Sequence, residues 1–140
     1  MKTLLKLEEL AQFLACLMIL VFSDVPWWAF LALLLGPDIG MLGYLVNSKI
    51  GAVSYNILHH KGFALFVAFI GGLAYYSVMS RHNVNGLDSI ASFERAMVLF
   101  AVILYGHASM DRIFGYGLKF GDNFHHTHLG WIGKLKNQGQ

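Results

Sequence analysis

Four apolar segments separated by short polar stretches dominate the pattern of this sequence. They run from about Leu7 to Phe22, Pro26 to Val46, Ala52 to Met79 and Ser89 to Tyr116. A helix needs about 20 mostly apolar residues to cross a bilayer, and all but the first segment are that long. No run alternates between polar and apolar residues as the strands of a membrane barrel do. The pattern therefore predicts an all-α protein, specifically an integral membrane four-helix bundle.

Turn-forming and interfacial residues mark the ends of these segments. Proline and aspartate in Ser23-Asp24-Val25-Pro26 end the first segment. Trp27 and Trp28 open the second, as aromatic residues do at a membrane–water interface. A polar loop follows from Arg81 to Asp88, and a polar tail rich in glycine and histidine follows Tyr116. We predict that residues 1–140 form a single transmembrane four-helix domain with a short polar C-terminal tail.

Composition supports a membrane location and excludes several other classes. Hydrophobic residues make up 56% of the 140 residues and charged residues 13%, against about a quarter charged in typical soluble domains. The net charge of +2, without a dense basic stripe, argues against nucleic acid as a partner. Cys16 is the only cysteine, which excludes an internal disulfide and a cysteine zinc site. Glu8 and Glu9 interrupt the start of the first segment, so we interpret it as a retained helix rather than a signal peptide.

The distribution of lysine and arginine predicts the orientation in the membrane. With four spans, the N-terminus, the second connection and the tail lie on one side. That side carries most of the basic residues, namely Lys2, Lys6, Lys49, Lys61, Lys119, Lys134 and Lys136. The other side carries Arg81 and Arg95, offset by acidic neighbours. Because basic residues concentrate in cytosolic loops, we predict that both termini are cytosolic.

In this topology, ionisable residues from different segments converge at one depth near the cytosolic side. Asp38 lies about two turns before the cytosolic end of the second helix, and His59 and His60 lie about two turns into the third. His107 and Asp111 are four residues apart, so they share one face of the fourth helix. Each ionisable group inside a membrane segment costs at least roughly 2.5–3.5 kcal/mol on insertion scales. Their convergence predicts mutual pairing, a metal or a water-filled cavity.

A mixture of imidazole and carboxylate groups is typical of sites for zinc, manganese or non-haem iron. We therefore predict a divalent metal with Asp38, His59, His107 and Asp111 as ligands, although the sequence does not show whether His59 or His60 faces it. We expect His128 to close the site from the tail.

Further candidate residues lie at the same level. Glu9 or Glu8 is a candidate further ligand or general base. Arg112 and Lys119, near the headgroups, would hold a phosphate or carboxylate.

Structural roles also explain these residues. Asp38 would accept backbone hydrogen bonds or pair with Arg112, and His107 would simply bond Asp111. Glu8 and Glu9 also suit the positive end of the first helix dipole.

The bend of the second helix has the same two interpretations. Gly36 and Gly40 form a small-xxx-small pair that permits close helix packing. Pro37 frees the carbonyl four residues earlier, which requires a partner from elsewhere. Packing alone, or a site at Asp38, accounts for both features.

Several motifs taken in order resemble one protein family. They are Pro37-Asp38-Ile39-Gly40-Met41-Leu42-Gly43-Tyr44, Tyr55-Asn56-Ile57-Leu58-His59, His107 with Met110-Asp111-Arg112, Gly115-Tyr116-Gly117-Leu118-Lys119-Phe120, and Thr127-His128-Leu129-Gly130. Together they resemble a family of small bacterial membrane proteins classed as domain of unknown function 4260. The resemblance covers nearly the whole chain and implies a four-helix protein of the bacterial inner membrane. It implies no particular activity.

The leading functional hypothesis is a membrane-embedded, metal-dependent enzyme. It would hydrolyse an amphiphilic or lipid-like substrate at the cytosolic side, although an iron oxidoreductase would use the same ligands. One alternative is a small ion- or proton-coupled transporter. Another is a haem-binding redox protein with His59 and His107 as axial ligands. A structural or partner-binding membrane protein and a homo-oligomer also stay open.

Overall fold

The computed structural model describes residues 2–80 and 88–133 and is mostly helical, as the sequence predicts. The helices are α1 (Lys2–Phe22), α2 (Trp28–Leu35), a 3₁₀ helix (Gly36–Leu45), α3 (Ser48–His59), α4 (Lys61–Ser80) and α5 (Asp88–Phe114). The tail contains two short antiparallel strands, β1 (His126–Thr127) and β2 (Gly130–Trp131). Most of the predicted polar loop, as well as Lys134 and Lys136, lies outside the described residues.

Among the residues that the structure describes, two segments are long and apolar enough to cross a membrane. They are Trp28–Leu45, which combines α2 with the 3₁₀ helix, and Phe93–Phe114 of α5. A third would be α3 with the Lys61–Ser77 part of α4, two helices that meet at an angle of 48°. Many large apolar side chains on these helices are exposed, including Trp28, Leu31 and Phe100. Soluble monomers rarely expose large contiguous apolar patches, so these surfaces indicate a membrane-associated protein.

The second apolar segment is not one continuous α-helix. It changes to 3₁₀ geometry at Gly36, immediately before Pro37. Proline lacks the backbone N–H that would bond the carbonyl of Leu33, four residues earlier, so α-helical pairing is interrupted at this point. The 3₁₀ helix is 10 residues long, whereas runs beyond about four residues are uncommon and often mark a functional region.

The third apolar segment is also broken, at His60. The backbone of His60 is extended (φ −85°, ψ 109°), which ends α3 and turns the chain into α4. The Nδ1 atom of His60 accepts a hydrogen bond from the Phe63 N–H at 3.2 Å, so the ring caps the start of α4. Asn47 caps α3 in the same way, through the Ile50 N–H at 2.9 Å. Local capping by polar side chains thus divides an apolar run that predicted a single helix.

Close packing joins the 3₁₀ helix to α3. A methyl group on Gly40 would lie 2.8 Å from the carbonyl oxygen of Ser54, so only glycine allows this approach. The Ser54 hydroxyl donates to the Gly40 carbonyl at 2.6 Å. A methyl group on Gly36 would meet only Ala32, at 3.5 Å, in the preceding helix α2 of the same apolar segment. Of the predicted glycine pair, Gly40 therefore makes the close approach to another helix and Gly36 does not.

Helix α5 packs antiparallel to α1 and contacts α4 along its length. Arg95, near the start of α5, donates to the carbonyl of Ser23 at the end of α1. At the other end, Arg112 of α5 faces Glu9 of α1, and Lys61 at the start of α4 contacts the same carboxylate. The first turns of α1 and α4 and the last turns of α5 therefore lie at one end of the molecule. That end carries the polar side chains described below.

Candidate metal centre

The structure brings the four predicted ligands together. Asp38 belongs to the 3₁₀ helix, His59 is the last residue of α3, and His107 and Asp111 lie on α5. One donor atom from each lies within 4.8 Å of the others. The Nε2 atom of His59 is 3.5 Å from Asp38 Oδ1 and 3.4 Å from Asp111 Oδ2. The Nε2 atom of His107 is 3.5 Å from Asp38 Oδ1 and 3.8 Å from Asp111 Oδ1. We call these four residues the metal-site cluster.

Backbone carbonyls orient both imidazole rings. The Nδ1 atom of His107 lies 2.9 Å from the carbonyl oxygen of Leu33, the carbonyl left without an α-helical partner by Pro37. The Nδ1 atom of His59 lies 2.8 Å from the carbonyl oxygen of Tyr55. Because a carbonyl oxygen can only accept, each Nδ1 carries the proton and donates it. In a neutral ring that donates from Nδ1, the Nε2 atom keeps a lone pair, which is the arrangement typical of metal-binding histidines.

The two Nε2 atoms have no hydrogen-bond partner among the residues that the structure describes, although both are buried. Such an atom costs about 1–3 kcal/mol when it is left unsatisfied. The carboxylate oxygens at 3.4 to 3.8 Å are too far for ordinary hydrogen bonds, which measure about 2.7–3.2 Å. By contrast, two ligands that each lie roughly 2.1 Å from a tetrahedral ion are separated by about 3.4 Å. The spacing therefore suits a cation between the four groups better than direct pairing.

Charge and burial favour the same interpretation. Two carboxylates with two neutral imidazoles carry a double negative charge, which a divalent cation would balance. His59 and His107 are buried, and Asp111 is only 14% exposed. Asp38 is 36% exposed and is the most accessible member. The metal-site cluster therefore opens on the side of Asp38.

Tyr55 is a residue of this site that the sequence analysis did not assign. Its hydroxyl donates to Asp111 Oδ2 at 2.6 Å, and its ring stacks on His59 with centroids 3.7 Å apart. Partners of this kind fix the orientation of metal ligands. The four-residue spacing of Tyr55 and His59 in the sequence is a signal that they share one helix face. The contact with Asp111 joins α3 to α5 and has no signature in the local sequence.

The tail folds back over the site through Lys119. Asn56 of α3 bonds both backbone groups of Lys119, at 2.8 and 2.7 Å. The Lys119 ammonium group donates to the Phe124 carbonyl at 2.9 Å and lies 4.9 Å from the centre of the Tyr55 ring. Burial lowers the pKa of Lys119 below its ordinary value, while the carboxylates of the metal-site cluster oppose this change. The sequence predicted Lys119 near the headgroups, whereas its side chain is buried in the structure.

The other predicted site residues lie outside the metal-site cluster. Glu9 pairs with Lys61 and lies 3.7 Å from Arg112. Lys61 also donates to Gln12, which accepts a second bond from Tyr105 at 3.0 Å. We call Glu9, Gln12, Lys61, Tyr105 and Arg112 the ionic network.

Three histidine and acidic candidates have individual surroundings. His128 is exposed, and its Nδ1 atom accepts a hydrogen bond from the Leu118 N–H at 2.8 Å. Glu8 is exposed and accepts from Gln12 at 3.3 Å. His60 is exposed and caps α4, so His59 is the histidine of this pair that belongs to the cluster.

Fold and cluster together define a mostly helical, membrane-associated protein with a candidate metal centre. The sequence model of a family described as Domain of unknown function (DUF4260) matches residues 2–132. The chain therefore belongs to this family, and the predicted resemblance is confirmed. No curated protein and no solved structure matches the chain.

Proposed function

We propose that this protein is a membrane-embedded, metal-dependent enzyme, with Asp38, His59, His107 and Asp111 as ligands of zinc, manganese or iron. One observation carries the proposal. Two buried Nε2 lone pairs and two carboxylates face a common space, and both rings are oriented by carbonyls that accept from Nδ1. A self-sufficient structural cluster would be expected to leave no such buried atoms unpaired.

Hydrolysis is the reaction that this donor set suits best. A divalent cation of this kind lowers the pKa of a bound water and polarises a substrate oxygen. The water oxygen would form the new bond to the carbonyl carbon or phosphorus of an ester. One of its protons would pass to the carboxylate oxygen of Asp38 that does not bind the cation, since Asp38 is the most accessible member of the cluster. The bond to the alcohol would break as the leaving oxygen takes up that proton.

A membrane position points to an amphiphilic substrate. We propose a bundle of four spans: α1, α2 with the 3₁₀ helix, α3 with α4, and α5. Along α5, His107 lies roughly 21 Å from Phe93, while the hydrocarbon core is about 30 Å thick. The cluster would then occupy the bilayer half nearer to the end of α5. The lysine distribution supports a cytosolic location for that end and for both termini, in the bacterial inner membrane.

The alternatives fit the geometry less well. Axial haem ligation by His59 and His107 would need room for the macrocycle around the iron. The carboxylates of Asp38 and Asp111 lie in that space, within 3.8 Å of the same nitrogen atoms. A transporter would need access to the cluster from both sides of the membrane, whereas Asp38 is the one member of the four that is more than 14% exposed.

Elemental analysis of the detergent-purified protein tests the proposal. We expect near-stoichiometric zinc, manganese or iron in the unchanged protein and in His60→Ala, and its loss in His59→Ala. The two variants remove adjacent histidines, of which only His59 faces the cluster, so they form a matched pair. Unchanged protein that is folded but free of metal would contradict the proposal. A metal flux into proteoliposomes that His107→Ala abolishes would instead support the transporter.

A further inference from the structure

An apolar cavity of about 350 Å³ lies between α1, α2, the 3₁₀ helix, α3 and α5, and it is partly open at the surface, where Trp28, Ile39 and Phe100 are exposed. Its volume falls in the range of about 300–1,000 Å³ that is typical of small-molecule sites. Every residue that lines it is apolar. It is separate from the four polar side chains of the metal-site cluster, none of which contributes to its wall.

On α5, the wall of the cavity continues into the metal-site cluster. Ala96, Phe100 and Ile103 line the cavity at helical spacing. His107 and Asp111 are the next positions on the same face, because residues three or four apart lie above one another on a helix. The same face of α5 is therefore apolar along the cavity and carries the two ligands at the next positions.

The wall formed by α2 and the start of the 3₁₀ helix also ends beside the metal-site cluster. Trp28, Ala32 and Gly36 line the cavity at four-residue intervals, followed by Pro37, the neighbour of Asp38. Leu58, the neighbour of His59, contributes from α3. Three of the chain segments that carry ligands therefore border one end of the cavity.

The opposite end of the cavity lies at the turn between α1 and α2. Val25, Pro26 and Trp28 line it there, and the contact between Arg95 and Ser23 brings the start of α5 to that turn. From Ala96 to Leu104, the cavity follows α5 for about 12 Å. It is long and apolar, with one end beside a polar centre.

We infer that this cavity binds the alkyl chain of a single-chain amphiphile whose polar headgroup lies at the metal-site cluster. The inference rests on the proposed function and narrows its substrate class. An alkyl chain between these walls would make dispersion contacts with the apolar side chains that line them. A polar ligand would find only one hydrogen-bonding side chain among the lining residues, the indole N–H of Trp28.

Quenching of Trp28 fluorescence tests this inference directly. The sequence contains three tryptophans, so Trp27→Phe with Trp131→Phe leaves Trp28 as the sole emitter. The probe is lysophosphatidylcholine with bromine at the end of its chain, added to the protein in nanodiscs of unbrominated phosphatidylcholine. We expect saturable quenching, because a chain anchored near Asp38 would bring its bromine to the end of the cavity lined by Trp28.

Variants that fill the cavity provide the control. Ala32→Phe and Ala96→Phe, on opposite walls, should each raise the half-saturating probe concentration at least tenfold. Ala15→Phe makes the same change at an exposed position of α1 outside the cavity and should have no effect. Quenching that rises linearly with the probe, equally in all variants, would reflect the surrounding lipid and would overturn the inference.

The readout does not depend on metal or activity. Saturable quenching in a protein without metal would contradict the proposed enzyme and leave the cavity as an alkyl-binding site. Metal in the cluster with only linear quenching would overturn the present inference alone.

Discussion

Two groups of ionisable residues lie at the same end of the molecule and satisfy their charges differently. In the ionic network, Glu9 faces Lys61 and Arg112, so opposite charges meet directly. In the metal-site cluster, two carboxylates face two imidazole nitrogens that have no hydrogen-bond partner within the described chain. The network contains its own cations, whereas the cluster has anions and lone pairs but no cation within it.

This difference shows why a concentration of polar residues in a membrane segment does not by itself identify a functional site. Both groups are costly to bury, and both need partners. Of the two groups, only the cluster has buried nitrogen atoms that lack a hydrogen-bond partner and could bind a metal, on rings that hydrogen bonds hold in place. We therefore assign a structural role to the network and metal binding to the cluster, and the following changes test that assignment.

Removal of the metal should lower the thermal stability more than any other change, and only in protein whose metal-site cluster is intact. A cation at about a thousand times its Kd stabilises the folded state by about 4 kcal/mol. We expect a chelator to lower the Tm of the detergent-solubilised protein and to leave His59→Ala unchanged. Equal Tm values for the unchanged protein with and without chelator would remove the distinction between the two groups.

Lys61→Met should destabilise the network without affecting metal content. Loss of one partner costs about 3 kcal/mol at the low end for a fully buried ion pair. Lys61 and Glu9 are 14% and 18% exposed and Arg112 still faces Glu9, so we expect a loss of about 1–3 kcal/mol. Adding Glu9→Gln should not restore the stability, because it leaves Arg112 without its carboxylate partner. Thermal unfolding and elemental analysis measure both effects. If Glu9→Gln alone abolished metal binding, Glu9 would belong with the ligands.

Gly40→Ala should disturb the cluster through the backbone. The added methyl group would lie 2.8 Å from the Ser54 carbonyl oxygen, so the 3₁₀ helix and α3 must separate. We expect a loss of stability of about 2 kcal/mol, typical of overpacking, together with weaker metal binding, since Asp38 and His59 lie on these two helices. Gly36→Ala is the matched control, because its methyl group meets only Ala32 at 3.5 Å. Equal Tm values for the two variants would contradict the proposed close contact.

Tyr55→Phe should have the smallest effect and should act on metal affinity. It removes the hydrogen bond to Asp111 and keeps the stacked ring. Loss of such a supporting contact weakens metal binding by about tenfold or somewhat more, as measured by competition with a chelator of known affinity. Tyr44→Phe is the control, since the Tyr44 hydroxyl has no hydrogen-bond partner among the described residues. If the Kd for the metal is unchanged in Tyr55→Phe, Tyr55 contributes only to packing and not to the orientation of Asp111.

Much of the helical architecture was predictable because apolar runs and turn residues act locally. The break at His60 was not predicted, and at Gly36 the sequence predicted a bend but not the change to 3₁₀ geometry, because both depend on which neighbouring group satisfies the backbone. Pro37 is the instructive case. The sequence indicated that it would free the carbonyl four residues earlier, and the structure shows that His107 is the partner of that carbonyl.

The choice among the ionisable residues was also only partly predictable. The spacing of His107 and Asp111 placed them on one face, since helical periodicity is local. The pairing of Glu9 with Lys61 joins residues more than fifty positions apart, so it depends on how α1 and α4 each pack against α5. The sequence also left open which of His59 and His60 belongs to the cluster, because His59 is buried at the end of α3 and His60, the next residue, is exposed.

The sequence by itself determined a mostly helical chain with apolar faces and the types of donor atoms available at one end, since composition and periodicity are properties of the chain. Only the tertiary structure decided which donor atoms meet. The carbonyl of Leu33 orients His107, Tyr55 reaches Asp111, and Lys61 takes Glu9 away from the cluster. Each of these contacts joins different helices, and their relative positions follow from close packing at residues such as Gly40 rather than from local preference.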